Sequence, residues 1–274
     1  MCTSIILPND IIKIICSFLV KPIYKFIDII EEHLNNKLIY HLALNCDENV
    51  LKLLDEILSR PKCDLKNLII WNDIDLTFWS QLANNQSSMQ LIDKYWDKIK
   101  LVNGNSYIYG CILGNKDFIT LIEKRYDIIP KTYGIWDFMA GNINAVDIME
   151  KNWEFIDKNK YFWGVLARNV NAIKLITKKI TEKDKSIMFW YNLAKNENAI
   201  DYILKNWAYI DKYNLYNNDK FVSNLASNIN AIDILNKYYN KLNKTRNFWI
   251  SLSSNSSFIL LNKGFTLFDI NIKL

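Results

Sequence analysis

The chain has 274 residues, half of them hydrophobic and 14% aromatic, so it can bury a substantial core and is not a disordered polymer. Its 34 basic and 29 acidic residues leave a net charge of only +5, and the bases are not gathered into the stripe that a nucleic-acid binder presents. With 7 Gly, 4 Pro and 2 His, the composition excludes a turn-rich β-sandwich or barrel, a glycine-rich phosphate loop and most His-dependent catalytic or metal centres.

Residues 1–40 differ in pattern from the rest of the chain. They open with Leu7-Pro8-Asn9-Asp10, in which Asn9 suits a helix N-cap and Asp10 the positive end of the helix. Ile11, Ile12, Ile15, Phe18 and Leu19 then form a broad apolar stripe at helical spacing. The apolar run from Ile11 is broken by Lys13 and Lys21, which makes it too short and too charged to span a bilayer. Met1–Asp10 lacks the basic region of a secretory signal. The five cysteines (Cys2, Cys16, Cys46, Cys63 and Cys111) are odd in number and contain no Cys-x-x-Cys pair. They read as reduced thiols of an intracellular protein.

From residue 41 the chain repeats itself. The weakest copy runs from Leu44 through Asp47, Asn49 and Val50 to Leu54, and further copies contain Asn85, Asn115 and Asn255. The clearest copies carry Asn142, Asn169, Asn196 and Asn228, as in Leu193-Ala194-Lys195-Asn196-Glu197-Asn198-Ala199-Ile200. The spacings between these Asn residues are 30, 27, 27, 27, 32 and 27, so the unit is 27 residues with small insertions. The extra residues of the long gap fall in the polar stretch 214–220, which suits a loop.

An aromatic stands three residues before the Leu in Trp79, Tyr109, Trp136, Trp163, Trp190 and Trp249, preceded by a bulky neighbour such as Phe78, Phe162 or Phe189. Helical spacing puts these with the Leu-Ala pair on one buried face of a first helix. The Trp row is therefore expected to be core and not a platform for stacking bases. The first Asn is expected to end that helix in a left-handed conformation, and the second to cap the next helix. The second helix ends near an aromatic, as in Trp153 with Ile156, Trp207 with Ile210 and Tyr239 with Leu242.

These units predict an all-α solenoid of about seven to eight helix-turn-helix repeats over 41–274, with 1–40 as an atypical N-terminal cap. Buried positions recur in a solenoid and binding positions vary. The variable residue just before the first Asn is thus the candidate partner-binding position: Gly141, Arg168, Lys195, Ser227 and Ser254. No catalytic, cofactor-binding or metal-binding residue is expected. His33 and His41 read as ordinary imidazoles, Asp-Lys pairs such as Asp157-Lys158 as helix-end capping, and Lys174–Lys185 as a solvated face.

The unit Leu-Ala-x-Asn-x-Asn-Ala-Ile-x-Ile-Leu resembles the Asn-rich, ankyrin-like repeats of giant DNA viruses. It departs from them in having no Pro after the Asn and in placing Ala where they have Ser, except at Ser253. The resemblance covers about Leu82–Leu261 and implies an interaction scaffold without chemistry of its own, in the cytoplasm of a host cell. The segment Leu7-Pro8-Asn9-Asp10-Ile11-Ile12 through Ile15, Phe18 and Leu19 is similar to the first helix of an F-box, although no Cys-Lys-x-Trp-like segment comes after it. That similarity implies an alternative in which Leu7, Pro8, Ile11, Ile12, Ile15, Phe18 and Leu19 bind a Skp1-like adaptor and link a bound protein to a cullin ubiquitin ligase. A capping helix shows the same stripe, so both readings stand. A virion-associated structural role is the third. The expected partner is a protein of unknown identity, with neither nucleic acid nor membrane involved.

Overall fold

A computed structural model describes residues 36–59, 76–131 and 134–257. All regular structure among these residues is helical, with no strand. The chain divides into two compact units, Met1–Pro130 and Lys131–Leu274. The segment Leu7–Leu19, with its capping and adaptor readings, lies outside the described residues.

In the first unit the first helices of the repeats are Asn36–Leu44, Leu76–Asn84 and Asn105–Gly114, each packed on the next. Their second helices are Glu48–Ser59, Met89–Lys94 and Ile119–Arg125. In the second unit the first helices are Ile135–Gly141, Lys160–Arg168, Ile187–Lys195, Asp219–Ser227 and Arg246–Ser253, again packed in sequence order. The second helices are Val146–Lys151, Ile173–Lys179, Ile200–Lys205 and Ile232–Tyr238. The repeat therefore takes the form of paired short helices, and the helix Asn36–Leu44 runs across position 40.

The first helices begin where a short polar side chain can accept from orphan backbone N–H groups. Asn159 accepts from Tyr161 and Phe162, Ser186 from Phe189, Asn218 from Lys220 and Phe221, and Thr245 from Phe248. Each of these caps lies ten residues before the repeat Asn of its unit.

Apolar residues at the expected positions fill the core. Phe78, Trp79, Phe162, Trp163, Phe189 and Trp190 are buried, whereas Trp249 is half-buried. The Phe and Trp rings meet edge-on in the same way in successive repeats, with interplanar angles of 77° for Phe162–Trp163 and 81° for Phe189–Trp190. That geometry suits the ring quadrupoles, which favour edge-to-face contact. Trp153, Ile156, Trp207, Ile210 and Leu242 are buried as expected from the second-helix pattern. Trp207 stacks on Tyr238 of the following repeat with centroids 3.6 Å apart.

The Asn roles differ from the expectation. Asn142, Asn169, Asn196 and Asn228 are not left-handed: their φ values lie between −80° and −72° with ψ between 112° and 118°. Asn214 is the one non-Gly residue with positive φ among those described, at 53°. It opens the short 3₁₀ turn Leu215–Asn217, so the insertion expected as a loop is ordered and buries Leu215. An extended backbone lets each repeat Asn turn its amide both forward and back. Its Oδ1 accepts from the N–H two residues on, at 3.0 Å for Asn144, Asn171, Asn198 and Asn230. This is the turn that Asn side chains commonly form with their own backbone.

Its Nδ2 reaches the previous repeat. Asn169 donates to the carbonyls of Ala140 and Asn142, both at 3.0 Å, and Asn196 to Ala167 and Asn169, both at 2.9 Å. Asn228 donates to Ala194 and Asn196, and Asn255 to Ala226 and Asn228. In the first unit Asn85 donates to Ala43 and Asn45, and Asn115 to Ala83. The weakest copy is thus registered on Ala43 and Asn45, not on Leu44 through Asp47. The second Asn is not a side-chain N-cap. Asn171, Asn198 and Asn230 instead donate to the carbonyls of Ile143, Val170 and Glu197 in the repeat before.

Candidate functional site

The candidate partner-binding residues share one place in the architecture. Gly141, Arg168, Lys195 and Ser227 are the last residues of their first helices, and Ser254 directly succeeds the helix Arg246–Ser253. Gly141, Arg168, Lys195 and Ser254 are exposed and Ser227 is half-buried. Each directly precedes an Asn that is almost fully buried, such as Asn196 at 0% exposure. A fixed interior and a free surface therefore meet at adjacent residues.

The five positions are not equivalent chemically. The hydroxyl of Ser227 donates to the carbonyl of Asn224 at 2.8 Å, and that of Ser254 to the carbonyl of Ser251 at 2.9 Å. Both turn back on their own helices. Gly141 presents only backbone. Arg168 and Lys195 are the two that project charge, and neither forms a salt bridge among the described residues.

Sequence reasoning missed the rest of that helix face. Residues three, four and seven places earlier share a face with the last residue of a helix. In Ile187–Lys195 these are Asn192, Tyr191 and Met188, and in Lys160–Arg168 the residue seven places earlier is Tyr161, 57% exposed. In Asp219–Ser227 they include Asn224 and Lys220. Asn192 donates to the carbonyl of Gly164 and Asn224 to that of Tyr191, each at 2.8 Å, so amides tie neighbouring first helices together across this face. Lys220 Nζ lies 5.6 Å from the centre of the Tyr191 ring. The helical period carries the signal for these residues when it is applied outward from Lys195 as well as inward from Trp190.

Charges on the second-helix side are arranged differently. Lys178 pairs with Glu150 of the preceding repeat at 2.7 Å, and Lys241 with Asp211 at 3.2 Å. In the first unit Lys94 pairs with Asp55 at 2.6 Å, while Asp93 receives both Lys124 and Arg125. Burial pushes the Asp93 carboxyl up, but hydrogen bonds from Lys124 and Arg125 outweigh it and hold the group below the usual carboxylate range. Lys158 caps the carbonyls of Trp153 and Ile156, and Lys244 those of Tyr239 and Leu242. The helix-end role expected of Asp157-Lys158 therefore belongs to the lysine.

Among the described residues, no group of three or more His, Cys, Asp or Glu is placed to hold a metal ion. Asp137, on the first helix ending at Gly141, has its carboxyl pushed up by burial and by the charge of Asp157. Cys46 is exposed and Cys111 buried, both as free thiols. No described helix is long and apolar enough to cross a membrane.

Comparison with protein-family models, with curated proteins and with solved structures finds no match to this chain.

Proposed function

We propose that this chain is a non-enzymatic protein-interaction scaffold, an ankyrin-like helical solenoid that binds a host or viral protein through the exposed side of its first helices. One observation carries the reading. The same Asn recurs buried at 142, 169, 196, 228 and 255, while the exposed residue beside it changes from Gly141 to Arg168, Lys195, Ser227 and Ser254. An array with a constant interior and a variable surface is suited to extended, residue-by-residue recognition.

The test is a pull-down of the tagged full chain from eukaryotic cells with mass spectrometry, comparing wild type with the double variant Arg168→Glu, Lys195→Glu. The expected result is a specific partner lost in the folded double variant. Capture of nothing above background by wild type overturns the scaffold reading.

A second reading rests on the motif Leu7-Pro8 with Ile11, Ile12, Ile15, Phe18 and Leu19, which supports an F-box-type adaptor for a Skp1–cullin ligase. Its test is Ile12→Asp in the same pull-down. Loss of Skp1 and a cullin from a still-folded variant supports it; absence of both from the wild-type capture removes it.

A further inference from the structure

We propose that the exposed first-helix face of the second unit takes an extended acidic peptide segment of its partner, with carboxylates at every third residue. This deepens the scaffold reading and rests on it. Arg168, Lys195 and Lys220 come from three consecutive first helices that pack directly on one another. None of the three forms a salt bridge among the described residues, whereas Lys178 and Lys241, on the second-helix side, each hold an acid. The acidic complement of this unit is thus spent elsewhere, and the first-helix face keeps three uncompensated cations beside the exposed Tyr161 ring.

Spacing selects the ligand. Packed helix axes lie about 8–10 Å apart, and an extended peptide advances about 3.3 Å per residue. Carboxylates at i, i+3 and i+6 of a peptide crossing the helices therefore fall one per repeat. The face is also held in place before binding, because the Asn192 and Asn224 amides bridge its helices. Fixing side chains in advance lowers the entropic cost of association. A single-stranded nucleic acid is disfavoured, since the rings it would stack on, Trp136, Trp163 and Trp190, are buried.

The test is selection of a displayed random peptide library on the full chain, with fluorescence anisotropy of the enriched peptides. Enrichment of Asp or Glu at three-residue spacing is expected, with binding weakened about fivefold to tenfold by Lys195→Glu or Lys220→Glu and unchanged by Lys178→Glu. Lys195→Gln and Lys220→Gln provide the same comparison should either reversal unfold the chain. Enriched peptides without spaced acids, equal binding by the Lys195 and Lys220 variants, or displacement by a thymidine 12-mer at lower concentration than the peptide would each overturn the proposal. A cellular partner held equally by wild type and by the Arg168→Glu, Lys195→Glu chain removes this surface and leaves the scaffold reading standing. No enriched peptide together with no captured partner removes both.

Discussion

Asn196 donates from Nδ2 to the backbone carbonyl of Asn169 at 2.9 Å, across 27 residues of sequence and one repeat of structure. Asn169 does the same to Asn142, and Asn228 to Asn196. A single amide closes the turn within its own repeat and fastens that turn to the one before. Because the group is buried, each link satisfies carbonyls that water does not reach. The ladder explains why Asn recurs where Ser or Asp would also form the local turn: only an amide both accepts forward and donates twice backward.

Asn196→Ala is therefore expected to be severely destabilising. It removes donors to the carbonyls of Ala167 and Asn169 and the acceptor for the N–H of Asn198. Leaving buried polar groups unpaired costs about 1–3 kcal/mol each, so a loss of about 3 kcal/mol or more is expected in urea unfolding. Asn196→Asp should be no milder at pH 7, since a carboxylate oxygen would face two carbonyls. That carboxyl would have a raised pKa when folded, so the variant should regain stability as pH falls through it. An Asp variant as stable as wild type at pH 7 would contradict the donor role.

Asn198→Ala supplies the contrast. Its amide donates to the carbonyl of Val170 at 2.8 Å, but the residue is exposed and water can replace it. The cost should be about 0.5–1.5 kcal/mol. Equal losses for Asn196→Ala and Asn198→Ala would show that burial does not distinguish the two ladders.

The period, the paired helices and the buried Trp row were legible because they depend on residues within one unit. Phe162, Trp163, Leu166 and Ala167 announce a buried helix face by their spacing alone. The role of Asn196 was not legible in the same way. A left-handed helix end and an extended turn both favour Asn, and local sequence does not say that the carbonyl of Asn169 lies within reach. The register of the first copy was not legible either, because 40 residues separate Asn45 from Asn85 and no clear intermediate copy fixes the phase. The caps Asn159, Ser186, Asn218 and Thr245 recur at one position but change identity, so a search for identical residues passes over them. At the candidate surface, the spacing identified the variable residues, but only the packed helices showed that Ser227 and Ser254 bond to their own backbone.

The Asp93 cluster makes stability depend on pH. Lys124 and Arg125 hold the carboxylate below the usual range in the folded chain. A depressed folded pKa contributes stability that is present above the unfolded value near 3.9 and disappears as pH falls through the folded value. Asp93→Asn should therefore cost about 1 kcal/mol at pH 7, the upper end for a partly exposed pair. Its difference from wild type should vanish toward pH 2. A difference that persists unchanged at low pH would show that packing, not charge, joins these repeats.

Trp163 tests the aromatic core. The ring is buried, but its Nε1 has no hydrogen-bond partner. Trp163→Ala should cost about 3–5 kcal/mol through the cavity it leaves. Trp163→Phe removes volume but also an unpaired N–H, so its cost should be far smaller, about 1 kcal/mol. Tyr109 at the equivalent place in another repeat shows that a smaller ring fits this position. Equal losses for Phe and Ala would mean that the outer ring of the indole carries the packing.

Gly141 separates folding from display. It ends a helix with negative φ, and a Cβ there would lie 3.5 Å from Val165 Cγ1, an ordinary contact. Ala costs less backbone entropy than Gly in a helix, so Gly141→Ala should stabilise the chain by about 0.5–1 kcal/mol. The melting temperature should rise with no change in helical signal. At Gly164 the same change brings the Cβ against Met188, with Cγ at 3.2 Å and Cε closer still. The thioether must move to admit it, so Gly164→Ala should fall short of the gain at Gly141. Thermal unfolding of the two variants side by side reads the difference; a larger gain at Gly164 would mean that Met188 yields freely and does not fix the spacing of these helices.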